Sequence, residues 1–506
     1  MENWITVKNG QSVALENIPS IPVALLCDEI ERHIINGLRP IQFFGRPKIS
    51  SNNTITLTAV LADDNSGTLL ISTCNIEKNA SFQSMTPKTP SIHLFEREIL
   101  EQTGVRPEGH PFLKPVRYEF GKEVNTGKLK DYPYLTIGGD ETHEVAVGPV
   151  HAGVIEPGSF RFLCHGEKVY HLEIQLGYQH RGVEALLRQG NPLNKSHIVE
   201  SIAGDTTIAH TWCYAMSLES LMNVKITKEI EIIRVIALEL ERIAMHLVGL
   251  GGISMDIGYL PGASFFGRLR TIIINTSMRI CGSRFGKGMI RPAASIFKID
   301  DNLKAYILEI LDKLHNDIEI IKELFFNSAG VLARLEKTGI VTTAQAKEAG
   351  LLGIMAKMAE LPQDSRASHP FGLYNEIKVE PCIYHHGDVC ARAIVRGLEI
   401  DQSMDIIRKA LELYDSSKND AGIDIGAQDI VSLQPSYAVV SMVEGWRGEV
   451  SHMIITDKFG QIEHYKVVDT SFHNWFGLAL AVRNNGISDF PLCNKSFDQS
   501  YCGYDL

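Results

Sequence analysis

Two acids, three hydroxyls and an imidazole stand close together in Glu200-Ser201-Ile202-Ala203-Gly204-Asp205-Thr206-Thr207-Ile208-Ala209-His210. Helical spacing would put Ala203, Thr206 and His210 on one face, at i, i+3 and i+7, so that His210 projects beside a methyl group and a hydroxyl. An imidazole there can take and give protons, although a histidine satisfied inside a core reads the same way. A second polar cluster, Asp498-Gln499-Ser500-Tyr501-Cys502-Gly503, closes the sequence. Neither cluster is a soft-metal site by itself. The nine cysteines (Cys27, Cys74, Cys164, Cys213, Cys281, Cys382, Cys390, Cys493 and Cys502) are scattered and odd in number, with no Cys-x-x-Cys pair. That pattern suits a reducing compartment and buried thiols, and it lacks the usual signature of an iron–sulfur cluster held by one chain. The doublet His385-His386 reads as a solvated loop pair. No Gly-x-Gly-x-x-Gly follows a strand and no Walker A sequence is present, so no nucleotide-phosphate site is expected.

The elements that must position these groups can be outlined from periodicity. Residues 54–61 alternate with period two, Asp63-Asp64-Asn65-Ser66-Gly67 supplies turn chemistry, and residues 68–73 return, which predicts a hairpin. A helix is expected over 92–103, ended by Gly104 and Pro107. Residues 122–140 are polar and rich in turn formers. Thr227 is placed to cap a helix whose apolar positions Ile230, Ile233, Ala237, Leu240, Ala244 and Leu247 recur every three or four residues and which ends at Gly249 and Gly251. Residues 302–326 repeat the pattern through Leu303, Ile307, Leu311, Leu314, Ile318, Ile321 and Phe325. At about 1.5 Å per residue, two such helices each span roughly 30 Å and imply a large helical bundle. Short alternating runs in 145–180 and 430–467 fit a small sheet at its base. The reading is α+β: a small mixed α/β domain over 1–122, a linker over 123–140, and a mainly helical bundle domain over 141–506 with a small β-sheet at its base.

Composition bounds the function. The 506 residues exceed what one core usually supports, and 44% apolar with 22% charged residues is ordinary for a globular protein. A net charge of -11, with no basic tail or stripe, argues against nucleic acid as a partner. Met1-Glu2-Asn3-Trp4-Ile5 has neither a positive region nor an apolar run, so export is not expected. The longest apolar stretch, 235–252, is interrupted by Glu239, Glu241, Arg242 and His246, short of the roughly 20 apolar residues that span a bilayer. Any membrane attachment is therefore expected through partners.

Ordered motifs then point to a family. Phe95-Glu96-Arg97-Glu98-Ile99 followed by Gly109-His110-Pro111 resembles the signature of the thirty-kilodalton subunit of respiratory complex I. Further along come Gly148-Pro149-Val150-His151, Glu156-Pro157-Gly158-Ser159-Phe160-Arg161-Phe162 and Leu176-Gly177-Tyr178-Gln179-His180-Arg181-Gly182-Val183-Glu184. Next are Arg234 through Glu239 with Arg242 and His246, then Gly282-Ser283-Arg284-Phe285 with Arg291-Pro292. Gly387-Asp388-Val389 with Arg392 and Arg396, and Glu444-Gly445-Trp446-Arg447-Gly448-Glu449, complete the series. In this order they resemble the forty-nine-kilodalton subunit of complex I and the nickel–iron hydrogenase large subunit. The fused layout is similar to that of formate hydrogenlyase and hydrogenase-4 large subunits, and most similar to the hydrogenase-related subunits that lack the nickel-ligand cysteines.

The resemblance implies a core subunit of a membrane-associated, complex-I-like or energy-converting hydrogenase-related complex, and it assigns roles to single residues. Four thiolates hold nickel in the hydrogenases, and Ala203, Thr206, Ser500 and Gly503 stand at those positions. Methyl groups and glycine hydrogens bind no metal, and neutral hydroxyls replace soft thiolates poorly, so a nickel–iron site is expected to be absent and no metal is assigned to this chain. The sequence ends at Leu506, without the C-terminal extension that a protease removes in active relatives, so no such processing is expected. Glu156 matches a glutamate that passes protons beside the nickel. Arg447 matches an arginine overhanging it, with an ion pair to Glu444, Glu449 or Asp205 as the plain alternative. His210, His151 and Asp205 are expected to line the vacated cavity. In the larger complex I subunit a tyrosine and a second histidine hold the quinone, and Gly204 and Ile155 fall at those places. Quinone at the usual site is thereby put in doubt, and remains a candidate acceptor only within the vacated cavity.

As implied partners, an iron–sulfur small subunit of the complex I twenty-kilodalton type would carry 4Fe-4S clusters, beside membrane-arm subunits of antiporter and complex I subunit 1 type and a ferredoxin-like subunit. The expected place is the cytoplasmic face of the inner membrane. Coupling of electron transfer to ion movement is the first functional expectation, reduction of quinone or another small acceptor the second, and a non-catalytic scaffold the third.

Overall fold

A computed structural model describes residues 3–48, 51–117, 132–151, 155–295, 297–415 and 432–506. Half of the expected linker, 123–131, lies outside them. Five strands lie before residue 80: β1 (Ile5–Val7), β2 (Ser12–Ala14), β3 (Arg39–Lys48), β4 (Ser51–Asp63) and β5 (Thr68–Glu77). The alternating segments pair as read, β4 against β5 from Thr54 opposite Glu77 to Asp63 opposite Thr68. Asp63 closes their turn by accepting the Asn65 amide at 3.1 Å. The sheet order is β1-β5-β4-β3. Helix α1 (Val23–Ile35) packs against β5 and α2 (His93–Thr103) against β3, with α2 ending on left-handed Gly104 as its sequence requires. A short parallel pair, β6 (Ser81–Gln83) with β7 (Arg106–Glu108), frames α2.

The second part holds two sheets rather than the single one expected. The first, in order β10-β9-β8, comprises β8 (Thr142–Val147), β9 (Ser159–His165) and β10 (Lys168–Gln175). The second, in order β13-β12-β11-β2, joins β11 (Tyr437–Glu444), β12 (Glu449–Thr456) and β13 (Ile462–Val468) to the N-terminal strand β2. Sequence periodicity carries no information on so distant a pairing. Between β10 and β11 in the chain run α3 (Thr207–Met222), α4 (Lys228–Asp256), α5 (Leu260–Cys281), α6 (Asp301–Phe326) and α7 (Val389–Leu413). After β13 follow α8 (Thr470–Ala481), α9 (Phe490–Phe497) and α10 (Tyr501–Asp505).

Helix α6 behaves as read: Asp300 caps it through the Leu303 amide (2.7 Å), and Ile307, Leu311, Leu314, Ile318, Ile321 and Phe325 are buried. Thr227 sits at the cap of α4 but makes no side-chain cap bond. Helix α4 also continues past Gly249 and Gly251 to Asp256, because its glycines serve packing. A β-carbon on Gly249 would lie 3.4 Å from the Arg396 side chain, and one on Gly251 3.4 Å from Phe266. No described helix is long and apolar enough to cross a membrane.

The bundle has its own core, from Ile208 and Trp212 on α3 through Ile236 and Leu240 on α4 to Ile407 on α7 and Trp446. A second core crosses the expected domain boundary, joining Leu57 and Phe95 to Phe160, Phe472 and Trp475. The Glu-Arg-Glu run on α2 stitches this seam. Arg97 donates to the Lys114 and Pro115 carbonyls, Glu101 accepts the Val116 and Arg117 amides, and buried Glu98 pairs with Arg117 and with Lys466 of β13 at 2.7 Å.

Candidate functional site

Helix α3 starts at Thr207, and Thr206 lies just before it with its amide bonded to the Ala203 carbonyl at 2.9 Å. Ala203 and Thr206 are therefore in the approach turn, not on a helical face with His210 as expected. The first α3 amides are satisfied from outside: Glu241 of α4 accepts from Ile208 (2.8 Å) and Ala209 (3.4 Å). Burial, with Asp205 adding to it, pushes the Glu241 carboxyl up to about 8.

Trp446 and Arg447 sit in the tight turn between β11 and β12. Gly353 meets that turn so closely that a β-carbon on it would lie 2.0 Å from the Arg447 carbonyl oxygen. The Arg447 guanidinium spreads between the two polar clusters. It binds both oxygens of Asp205 (2.7 and 2.6 Å), Thr206 Oγ1 (3.0 Å) and the Asp498 carbonyl (2.5 Å). It also lies 4.0 Å from the centre of the Trp446 ring, whose Nε1–H donates to the Asp205 carbonyl at 2.8 Å. Of the ion-pair partners considered for Arg447, Asp205 is the one observed. A bidentate guanidinium–carboxylate pair thus spans the space expected to be an open cavity.

The C-terminal cluster is closed as well. Ser500 Oγ caps α10 by accepting the Gly503 amide (2.9 Å), and its own amide donates to Ser471 Oγ (2.9 Å). Gly503 faces Asp469: a β-carbon there would lie 2.7 Å from the carboxyl carbon. Asp469 accepts the Ser471 amide as the cap of α8 and binds His210 Nε2 at 2.9 Å. His210 Nδ1 meets His452 Nε2 at 3.0 Å, and His452 Nδ1 meets the Tyr465 hydroxyl at 2.8 Å. All four groups are buried. The hydrogen bond from His210, with the Arg447 charge nearby, holds the Asp469 carboxyl down at about 2 against its burial, while burial holds His452 well below the usual imidazole range.

Glu156 is half-buried beside Cys502, whose thiol burial and the Glu156 charge push up to about 11. Cys502 Sγ lies 3.3 Å from Ser500 Oγ. His151 is committed to its own loop, Nε2 lying 2.9 Å from the Gly158 carbonyl and the ring packing near Phe160. The structure therefore brings Asp205, Arg447 and Thr206 together, sets His210 beside Asp469, places Glu156 at Cys502, and gives His151 a bracing role. His385 and His386 are exposed, as read.

Sequence reasoning missed Asp469, His452, Tyr465 and the capping role of Glu241. Two signals were present. Asp469-Thr470-Ser471 is a helix N-terminus signature, and His452 is a polar residue within a strand buried along its whole length.

The Arg447 turn hangs on a dense ionic network. Arg242 donates to the carbonyls of Glu444 (2.6 Å) and Gly445 (2.8 Å). Lys357 Nζ contacts Asp364 (2.7 Å), Glu399 (2.7 Å) and Glu444 (3.1 Å), Arg366 joins Asp364 to Glu239, and His246 binds Glu399 at 2.8 Å. From Glu444 the chain continues through Ser365 and Glu449 to Arg39 and Asp64, which is partly exposed. Four acids (Glu239, Asp364, Glu399, Glu444) face three cations (Arg242, Lys357, Arg366), and burial pushes Glu444 up to about 7. Among the described residues a further cluster, His315, Glu319 and Asp401, has its acids held by Lys322 at 2.8 and 2.6 Å.

Comparison with known proteins agrees with this architecture. The family described as the respiratory-chain NADH dehydrogenase 49 kDa subunit matches residues 256–505, and the 30 kDa subunit family matches residues 41–131. A carbon monoxide-induced hydrogenase from Rhodospirillum rubrum is 28% identical over 359 residues, covering 71% of this chain and 97% of the relative. Formate hydrogenlyase subunit 5 from Escherichia coli is 24% identical over 482 residues, covering 90% and 83%. The fold is shared with a chain of the membrane-bound sulfane sulfur reductase, an archaeal respiratory membrane complex, at a TM-score of 0.68 and 21% identity, covering 72% of this chain and 99% of that one. The chain thus carries a complex I 30 kDa-type domain fused ahead of a 49 kDa-type part, and its relatives include membrane-bound hydrogenase and complex I subunits.

Proposed function

We propose that this chain is the core subunit of a membrane-associated, complex-I-like oxidoreductase complex in which it couples electron transfer to ion translocation without a nickel–iron centre of its own. The observation that carries this reading is the closure at Gly503. Where the hydrogenases place a thiolate, the backbone lies against the Asp469 carboxylate with no room for a side chain. The other three positions do not fit nickel either: Ala203 is a methyl group, Thr206 Oγ1 serves Arg447, and Ser500 Oγ caps α10. Without a metal-centred reaction, the buried acids and arginines are best understood as coupling machinery. The cluster of Glu239, Asp364, Glu399 and Glu444, with one carboxyl in excess of Arg242, Lys357 and Arg366, can hold an exchangeable proton.

Electrons would arrive on 4Fe-4S clusters of a small subunit of the complex I twenty-kilodalton type, with a ferredoxin-like subunit beside it. Antiporter-type and complex I subunit 1-type membrane subunits would hold the assembly to the cytoplasmic face of the inner membrane. Reduction of quinone or another small acceptor within the site is less well supported, because His210, His151 and Arg447 are already engaged by this chain. The test is Glu444→Gln in the native complex in membrane vesicles, measuring ions moved per electron. The coupling reading expects ion movement to fall at least about tenfold with electron transfer kept. Loss of both would favour substrate chemistry at the site, and no change in either would favour a scaffold.

A further inference from the structure

Of the buried titratable groups in this molecule, one set is arranged in a line. Asp469, His210, His452 and Tyr465 are linked end to end at 2.9, 3.0 and 2.8 Å. They belong to four different segments: the cap of α8, helix α3, and the neighbouring strands β12 and β13. The chemistry of the end group fixes the orientation of the rest. An ionised carboxylate only accepts, so His210 carries its proton on Nε2 and leaves Nδ1 as an acceptor. His452 must then carry its proton on Nε2, leaving its own Nδ1 to accept from the Tyr465 hydroxyl. Every bond in the line is satisfied with both imidazoles neutral, and every donor points toward Asp469.

We propose that Tyr465, His452, His210 and Asp469 form a proton wire that carries protons from the Glu184 side of the sheet to the junction of Asp469, Gly503 and Arg447. This rests on the coupling reading above. In one passage the Tyr465 hydroxyl proton moves to His452 Nδ1, the His452 Nε2 proton moves to His210 Nδ1, and the His210 Nε2 proton moves to Asp469. Tyr465 regains a proton from water at the Glu184 end, so one proton enters and one reaches Asp469 with no electron transferred. Glu184, which is 18% exposed and tied to Lys466 at 3.1 Å, acts electrostatically on Tyr465, as do Tyr214 and Cys213. Burial holds the Tyr465 hydroxyl well above the usual phenol range, so transfer proceeds in concert rather than through a free phenolate. Asp469 ends the line: it is the carboxylate that closes the Gly503 position, and because its His210 bond and Arg447 favour the charged form, it holds the proton only in transit.

The test uses the purified complex, photoreduced through a deazaflavin dye, with proton uptake followed by a pH indicator. Tyr465→Phe keeps the buried ring and removes only the first donor. Uptake is expected to slow at least about tenfold while the extent of cluster reduction is unchanged. Tyr414→Phe, which alters a buried tyrosine at the end of α7 away from the line, is expected to keep the parent rate. Wild-type uptake in Tyr465→Phe would overturn the wire. A second measurement needs no variant to fold: solid-state NMR of 15N-histidine-labelled complex should show His210 and His452 as neutral Nε2–H tautomers. Finding either as Nδ1–H would overturn the orientation. A parent complex that takes up no protons on reduction would instead overturn the coupling reading itself, whatever the tautomers.

Discussion

Gly503 is the residue on which most depends. Its amide is bound by Ser500 and its Cα face is filled by Asp469, so any side chain must displace a buried, hydrogen-bonded carboxylate. Gly503→Cys, the change that would restore a thiol, is expected to destabilise the fold by about 1–3 kcal/mol through overpacking, measured by denaturant unfolding. Unchanged stability would show that the site is roomier than described. Glu241 gives a prediction in pH. Its carboxyl is raised in the folded state to about 8 from an ordinary value of 4.5. Folding therefore binds a proton in this window, and the contribution of Glu241 is present below about pH 4.5 and lost as the pH rises through 8. Glu241→Gln should flatten the fall of Tm between about pH 5 and 9, with the gain over the parent largest at the alkaline end. An identical slope in the two proteins would refute the assignment. At this scale the sequence was partly legible. The sequence offers Asp205 as one of three acids that could pair with Arg447, and a satisfied core histidine as the alternative to a proton-relay role for His210. Asp469 and His452 could not be joined to His210, because they lie some 240 to 260 positions away and meet it only in the folded chain.

At the scale of elements, the turn between β11 and β12 is held by glycine against glycine. Gly448 takes a φ of +140°, Gly353 a φ of +57°, and a β-carbon on Gly353 would lie 2.0 Å from the Arg447 carbonyl oxygen. Backbone atoms cannot step aside as a flexible side chain can. Gly353→Ala is expected to cost more than about 2 kcal/mol, from strain at positive φ together with the clash, and to withdraw Arg447 from Asp205. Thermal unfolding with salt-dependence measurements would check both, and a variant as stable as the parent would contradict the packing. Periodicity revealed the β4–β5 hairpin, α2 and α6 because their faces are cleanly partitioned. It misjudged the end of α4, where glycines ease close helix packing rather than stop the helix. It also missed the excursion of β2 into the far sheet, since a three-residue strand carries no pattern of its own.

At the scale of the whole molecule, the N-terminal part is built into the rest. The Glu98–Lys466 pair, the shared core of Phe95 with Phe472, and β2 beside β11 all cross between the fused N-terminal domain and the larger part that follows it. Displacement at the Arg447 turn would therefore be felt through Glu449 and Arg39 as far as the N-terminal sheet, as the coupling proposed above requires. The two-part organisation was legible from ordered motifs; the continuity of the core was not, because burial depends on contacts between distant segments. The most direct test of the central claim is elemental analysis of the intact purified complex for nickel per copy of this chain, with iron as the internal control. Iron without nickel is the result expected from Ala203, Thr206, Ser500 and a closed Gly503; stoichiometric nickel would contradict the account.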